Sequence, residues 1–211
     1  MTNKERIELA EWAMNYTIKC GANESVVSVS NSRDIQIDHR DKKIETLKES
    51  TQNSLNLQVY TNHRFSSHST NDLRKDDLKK FIEEAVASTK YLTEDEFRTL
   101  PDPKFYPKET HTDLKLIDKS YSGIDSSERV KLAAEIEKEA MAVSDQIISA
   151  TAGYYDSFYE TVRVHSNGFK GELSGTVFST GTEVTVKDND GGRPEDWYYA
   201  SVRFKNELPS P

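Results

Sequence analysis

Cysteine is almost absent from this chain of 211 residues, which contains only Cys20. A single cysteine excludes an internal disulfide, and the polar N-terminus lacks the apolar core of a signal peptide, so we predict a reducing, cytoplasmic location. No apolar run approaches the roughly 20 residues that a membrane-spanning helix needs. The sequence also lacks a Gly-rich phosphate loop, a G-x-S-x-G motif and paired cysteines. These absences argue against a disulfide-stabilised, membrane-spanning or phosphate-loop protein.

Histidine is nearly as scarce, with residues only at positions 39, 63, 68, 111 and 165. No two of them have the i, i+4 spacing with an intervening glutamate that zinc peptidases use. His63 and His68 are five residues apart, which on a strand directs their side chains to opposite faces. We therefore predict no catalytic, cofactor-binding or metal-ligating residue in this chain.

The charge balance is acidic, with a formal net charge of −8 and a sequence pI near 5.2. Binding to phosphates requires clustered Lys and Arg, so nucleic acid is not predicted as a partner. The chain is polar, but its 10 tyrosines and 8 phenylalanines indicate a folded protein rather than a disordered one.

Hydrophobic periodicity predicts three helices and two groups of strands. Thr2 and Glu5 form a capping box before the first helix, and Asp125 with Glu128 forms another before the third. A period of two, with Asn167-Gly168 as a clear hairpin turn, indicates the strands. The predicted helices are residues 3–20, 75–92 and 126–144, and the predicted strands are 25–40, 43–50, 54–61, 64–70, 146–156, 158–166, 169–180, 182–188 and 196–205.

This order predicts an α+β fold with antiparallel sheets and flanking helices. Residues 1–92 form a first α+β block, and residues 124–211 form a second, which we expect to pack with the first. Between them, residues 93–123 are a proline-containing connection. We expect its aromatic side chains to dock on the surface; they are Phe97, Phe105 and Tyr106. The end of the chain soon after the last predicted strand suggests that a further domain is absent from this sequence.

Two aromatic clusters in the second block are candidates for contact with a peptide or a partner protein. Aromatic side chains supply large contact areas at interfaces, but they also pack across strands in ordinary sheets, and the sequence leaves both interpretations open. The candidate contact residues are Tyr154, Tyr155, Tyr159, Trp197, Tyr198 and Tyr199.

Several stretches, in order along nearly the whole chain, resemble the N-terminal region of the TldD/PmbA family, also known as modulators of DNA gyrase. The first block carries the resemblance in its early strand pair, residues 25–49, and in SLNLQVYTNHRFSSHSTNDL. The second block carries it in DSSERVKLAAEIEKEA, VRVHSNGFKGELSGTVFSTGTEVTV and DWYYASVRF. The pattern is more similar to the PmbA (TldE-like) member than to TldD.

The resemblance implies a metallopeptidase subunit. In this family the TldD member carries zinc on an H-E-x-x-x-H motif and pairs with the PmbA-like member around a chamber that cleaves unfolded or extended peptides. The PmbA-like member lacks that motif, and the motif lies beyond the region covered here. Zinc is therefore expected in a partner or in a C-terminal peptidase-type domain outside this chain, and a TldD-like subunit or a second copy is the expected dimer partner.

Three hypotheses for function follow. In the first, the chain is a scaffold and substrate-handling region for proteolysis, inactive alone. In the second, it is a non-catalytic regulatory module that binds a protein target, as the gyrase-modulator label suggests. In the third, it is an independent enzyme in which a lone histidine meets a nucleophile only in three dimensions.

Overall fold

A computed structural model describes residues 1–107 and 113–211. Three α-helices and six strands account for the regular structure of these residues, with short 3₁₀ turns at Pro103–Phe105, Tyr121–Gly123 and Lys205–Glu207. The helices are α1 (Asn3–Lys19), α2 (Lys75–Thr89) and α3 (Ser126–Ala142), and the strands are β1 (Glu24–Arg40), β2 (Lys43–Thr61), β3 (Arg64–Thr70), β4 (Ile147–His165), β5 (Lys170–Val186) and β6 (Glu195–Val202).

The strands form one sheet in the order β3-β2-β1-β4-β5-β6. β2 and β3 pair antiparallel, as do β5 and β6. The predicted α+β class with antiparallel pairing is confirmed. The described residues form two compact units: the first contains residues 1–31, 52–107, 113–114 and 160–173, and the second contains residues 32–51, 115–159 and 174–211.

Three predicted breaks between strands are wrong. Residues 43–50 and 54–61 belong to one strand, β2, and β4 and β5 are likewise continuous where two strands each were expected. Polar side chains do not interrupt a strand whose backbone is paired. At one such place Asn31 Nδ2 donates to Asn53 Oδ1 at 3.0 Å, so the polar residues bond one another across the sheet. The last strand is shorter than predicted and ends at Val202.

In the first unit, α1 and α2 contact each other over a core of small and aliphatic side chains from β1, β2 and β4. The capping box at Thr2 and Glu5 is confirmed, with both reciprocal hydrogen bonds present. α2 buries Leu78, Ile82 and Ala85, but it ends at Thr89 rather than at the predicted residue 92, and Leu92 is 45% exposed.

Only one of the three aromatic residues expected to dock the connection does so. Phe97 and Phe105 are 84% and 73% exposed, whereas Leu100 is buried. Tyr106 does dock, because its hydroxyl donates to Asn167 Oδ1 at 2.8 Å and lies 2.9 Å from His165 Nδ1. The Asn167 amide in turn donates to the Pro101 carbonyl at 2.9 Å, which fixes its orientation. Residues 108–112 of the predicted connection, including His111, lie outside the described residues.

The Tyr106 contact defines the protonation of His165. A phenol has one proton to donate, and Asn167 receives it, so His165 Nδ1–H is the donor to Tyr106. His165 Nε2 is then an unprotonated, buried acceptor with no hydrogen-bond partner within residues 1–107 and 113–211. Burial, assisted by the nearby Arg163 guanidinium, lowers the pKa of His165 below 6.5.

We expect His165 to make the protein less stable in mild acid. The imidazole of the unfolded chain binds a proton more readily than that of the folded chain. The contribution of neutral His165 to the free energy of unfolding is therefore complete above the pKa of the unfolded state and is lost as the pH falls towards the pKa of the folded state. Urea unfolding between about pH 7 and about pH 5 should show a smaller loss of stability in His165→Gln than in the parent. His63→Asn, which removes an exposed turn imidazole, is the control and should retain the parent's pH dependence; an unchanged slope in His165→Gln would contradict the assignment.

In the second unit, α3 packs a partly polar face onto β1 and β4. The buried residues of α3 are Arg129, Ala133 and Glu137, and Val143, inside the predicted range, is 78% exposed because the helix ends at Ala142. Glu137 Oε2 lies 2.5 Å from His39 Nδ1, and Glu137 Oε1 accepts from the Lys42 backbone N–H at 3.1 Å. A charged residue at each end of the buried face therefore fixes how α3 sits on the sheet.

Candidate functional site

The second unit presents an exposed aromatic pair on β6. Trp197 and Tyr199 are 64% and 62% exposed, and their rings stack with centroids 5.4 Å apart and planes 25° apart. They can stack because residues two apart on a strand share a face. Tyr198, between them, is 66% exposed on the opposite face. The sequence cluster of three aromatics therefore divides into a stacked pair and a separate tyrosine.

A shallow groove of about 220 Å³ runs beside Tyr199. Gly153 of β4 and Gly181 of β5 line it, with Tyr155 and Tyr199 as its aromatic walls and Asp38 of β1 as its acidic group. The register pairs Gly181 with Tyr199 and Glu183 with Trp197. The absent side chain of Gly153 leaves space on the sheet, since a Cβ there would meet only Asp38 Oδ1 at 3.5 Å, whereas at Gly181 the backbone of β6 approaches closely. Gly153 therefore accounts for the open part of the groove.

The groove and its edge are acidic. Asp38 accepts a hydrogen bond from Gln36 Nε2 at 3.0 Å. Four residues earlier on β1 and outside the lining of the groove, Asp34 accepts from the Tyr155 hydroxyl at 2.7 Å and from Ser32 Oγ at 2.8 Å. Burial opposes ionisation of Asp34, but these hydroxyl donors outweigh it and lower the pKa of the carboxyl below its usual value. None of the residues that line the groove is Lys or Arg.

The structure brings together Tyr155, Trp197 and Tyr199 from the six candidate contact residues. Tyr154 is 1% exposed and donates to Asp156 Oδ2 at 2.7 Å, so its hydroxyl belongs to the interior. Tyr159 lies against Gly175 and accepts from Arg203 Nη1 at 2.9 Å.

The residues of the groove that the sequence did not predict include Asp38, Gly153 and Gly181. Glycine in the interior of a strand was the available signal, because it often marks a close approach of another chain or ligand. The sequence predicts a break between strands at residue 181, and β5 instead continues through it.

The described residues contain no group of three or more His, Cys, Asp or Glu side chains placed to hold a metal ion. His39 contacts Glu137, His68 contacts Ser66 and His165 contacts Tyr106. The residues that the structure describes therefore do not fit a catalytic zinc, and no step of the chemistry is assigned to them. Across the same part of the chain, no helix is both long enough and apolar enough to span a membrane.

This fold and its sequence place the chain among metallopeptidase-type proteins. The sequence model for PmbA/TldA metallopeptidase domain 1 matches residues 26–89, and that for the PmbA/TldA metallopeptidase central domain matches residues 119–210. The chain belongs to the TldD/PmbA family.

Two curated relatives agree with this assignment. The chain is 25% identical over 210 residues to the metalloprotease PmbA homolog of Haemophilus influenzae, covering 99% of this chain and 45% of that protein. It is 25% identical over 188 residues to metalloprotease PmbA of Escherichia coli O157:H7, covering 88% of this chain and 40% of that protein. The chain therefore spans less than half the length of the curated relatives it matches.

Solved structures share the fold. A protein from Bacteroides thetaiotaomicron described as a modulator of DNA gyrase superposes with a TM-score of 0.92 at 32% identity, covering 100% of this chain and 48% of that one. TldE from Thermococcus kodakarensis superposes with a TM-score of 0.73 at 17% identity, covering 95% of this chain and 44% of that one. The second likeness is evidence for the fold alone.

Proposed function

We propose that this chain is a scaffold and substrate-handling region of a TldD/PmbA-type metallopeptidase that acts on extended or unfolded peptides. The observation that carries the proposal is the stacked, exposed pair Trp197 and Tyr199 on β6, beside a groove lined by glycines. Bond cleavage would use zinc held by a partner or by a part of the protein outside this chain, so the chain alone would not hydrolyse peptides.

The position of β6 suits an extended ligand. β6 stands at one end of the strand order, where a strand exposes backbone groups that can pair with another chain. A peptide added there is recognised through its backbone, which makes binding tolerant of sequence, while neighbouring pockets select side chains. Trp197 and Tyr199 would supply contact area, because aromatic residues dominate the energetics of many interfaces.

The proposed assembly is a dimer with a TldD-like subunit or with a second copy of this chain, in the cytoplasm. Support comes from the family and from the relatives named metalloprotease, which are more than twice as long as this chain. In such an assembly this chain would form part of the wall that holds a substrate.

Removal of the aromatic pair tests the proposal. We expect Trp197→Ala/Tyr199→Ala to weaken binding of a fluorescein-labelled, unfolded polypeptide by about tenfold or more, as loss of an interface hot spot does. Fluorescence anisotropy measures the affinity. Tyr198→Ala is the matched control, because it removes an equally exposed ring from the opposite face, and it should bind as the parent does. Equal loss in both variants, or no binding by the parent, would overturn the proposal.

A second candidate is a non-catalytic regulatory module that binds a protein target. The observations in its favour are the acidic groove and the description of the Bacteroides thetaiotaomicron protein as a modulator of DNA gyrase. A supercoiling assay that shows no effect of the chain at high concentration would remove this candidate.

A further inference from the structure

The groove beside Tyr199 has one carboxylate, that of Asp38, among its lining residues. Asp38 has one hydrogen bond, from Gln36, and its Oδ1 is 3.5 Å from the position that a Cβ on Gly153 would take. The open position above Gly153 is thus within hydrogen-bond reach of a carboxylate and has no side chain of its own.

From this arrangement we propose that the groove binds a Lys or Arg side chain of an extended peptide, so that the substrate class is basic peptides. The inference rests on the proposed function and names the peptide chemistry that this site selects. Asp38 would accept a hydrogen bond from the ammonium or guanidinium group, and Tyr199 would pack against the aliphatic stem and the cation.

Gly153 explains why a long side chain fits. A lysine or arginine stem needs an unoccupied position on the sheet, and Gly153 supplies one in the groove that Tyr155 and Tyr199 also line. The stem can lie along these rings while its charged end reaches Asp38. An acidic side chain would meet the Asp38 carboxyl in a groove whose lining contains no Lys or Arg, so the same groove would discriminate against it.

Charges further along the face do not cancel this preference. Glu183 pairs with Trp197 across β5 and β6 and adds negative charge beside the aromatic pair. Arg203 is a cation, but its guanidinium is held by the Tyr159 hydroxyl and the Thr176 carbonyl. Arg33 is also engaged, in an ion pair with Glu49 at 2.6 Å. Arg40, two residues after Asp38 and therefore on the same face of β1, is an exposed cation that does not line the groove, so Asp38 is the charged group inside the groove itself.

Three labelled peptides of equal length that differ only at one central residue test this inference. They carry Lys, Gln or Glu at that position in an otherwise neutral, extended sequence, and their binding to the 211-residue chain is measured by fluorescence anisotropy at low and high salt. We expect the Lys peptide to bind about tenfold more tightly than the Glu peptide, with the difference shrinking as salt is raised. Asp38→Asn should remove most of the difference, whereas Asp145→Asn, an exposed acid after α3, should leave it intact.

The outcomes separate this inference from the proposed function. Equal binding of the three peptides, or a Lys preference that survives Asp38→Asn, would overturn the basic-peptide assignment and leave the peptide-contact role standing. Binding of none of the three would overturn both. Circular dichroism of Asp38→Asn distinguishes a lost contact from a lost fold, and Asp38→Glu, which keeps the charge, should retain the preference.

Discussion

Asp156→Ala should lower the free energy of unfolding by about 3–5 kcal/mol, because it leaves the buried Arg129 guanidinium without its counter-ion. Arg129 is 2% exposed and Asp156 is 0% exposed, and Arg129 Nε lies 2.5 Å from Asp156 Oδ2. Asp156 also accepts from the Tyr154 hydroxyl at 2.7 Å and from the Tyr121 hydroxyl at 3.0 Å. One carboxylate therefore accepts hydrogen bonds from three buried side chains, and its loss leaves all three without that acceptor.

The raised pKa values of Tyr154 and Tyr121 reflect the same buried network. Burial and the adjacent Asp156 carboxylate raise the pKa of Tyr154 and of Tyr121 well above the usual tyrosine value of 10.0. Both phenols thus remain protonated and continue to donate to Asp156 across the ordinary pH range. Each buried hydroxyl left without an acceptor costs about 1–3 kcal/mol. The two tyrosines therefore add to the loss of stability that the unpaired Arg129 guanidinium causes.

Urea unfolding of two further variants checks the origin of the loss. Arg129→Met/Asp156→Asn removes the charge pair but keeps an acceptor for the tyrosines, and we expect it to recover most of the stability that Asp156→Ala loses. Glu49→Ala is the matched control, because it breaks an Arg–carboxylate pair whose side chains are 38% and 47% exposed. It should cost less than about 1 kcal/mol. If Asp156→Ala unfolds like Glu49→Ala, the buried network does not support the second unit.

Local signals in the sequence predicted the order and type of most elements. The capping residues Thr2 and Asp125 begin α1 and α3 as expected, and each cap accepts a backbone N–H. Asn167-Gly168 forms the turn between β4 and β5, with Gly168 at a φ of +102° that glycine adopts readily. Such features depend on a few neighbouring residues, which is why a single sequence reveals them.

Long-range contacts account for the errors. Nothing in the local pattern of α3 indicates that Arg129 and Glu137 face inwards, because a charged residue is buried only when a distant partner is present. The partners are Asp156 and His39, on β4 and β1. The continuity of β2 through residues 51–53 likewise depends on pairing with a neighbouring strand rather than on the hydrophobicity of those residues.

The candidate site was predictable in part. The aromatic residues Tyr155, Trp197 and Tyr199 were visible in the sequence, since exposed contact surfaces are enriched in such residues. Their arrangement was not, because it depends on the register that places Gly181 opposite Tyr199. Asp38 was indistinguishable from the many acidic surface residues until the groove placed it beside Gly153.

Gly181→Ala and Gly153→Ala should have opposite effects on stability, although both glycines line the same groove. A Cβ on Gly181 would lie 2.7 Å from the Tyr198 carbonyl oxygen and 3.0 Å from Tyr199 Cβ. Backbone of β6 cannot give way locally, so the strand must shift, and we expect a loss of about 1–3 kcal/mol, as for overpacked sites. A Cβ on Gly153 would meet only Asp38 Oδ1, at an ordinary 3.5 Å.

At Gly153 the entropy of the unfolded chain decides whether alanine raises or lowers the free energy of unfolding. Alanine restricts the unfolded state more than glycine does, which stabilises a protein by about 0.4–1 kcal/mol where the native backbone accepts it. Urea unfolding measures the change in stability of each variant. Hydrogen exchange of the β6 amides shows where Gly181→Ala acts, since only this variant should speed exchange in β6. Equal stability of the two variants would show that β6 tolerates a side chain at position 181, and would contradict the close pairing of β5 and β6 on which the groove depends.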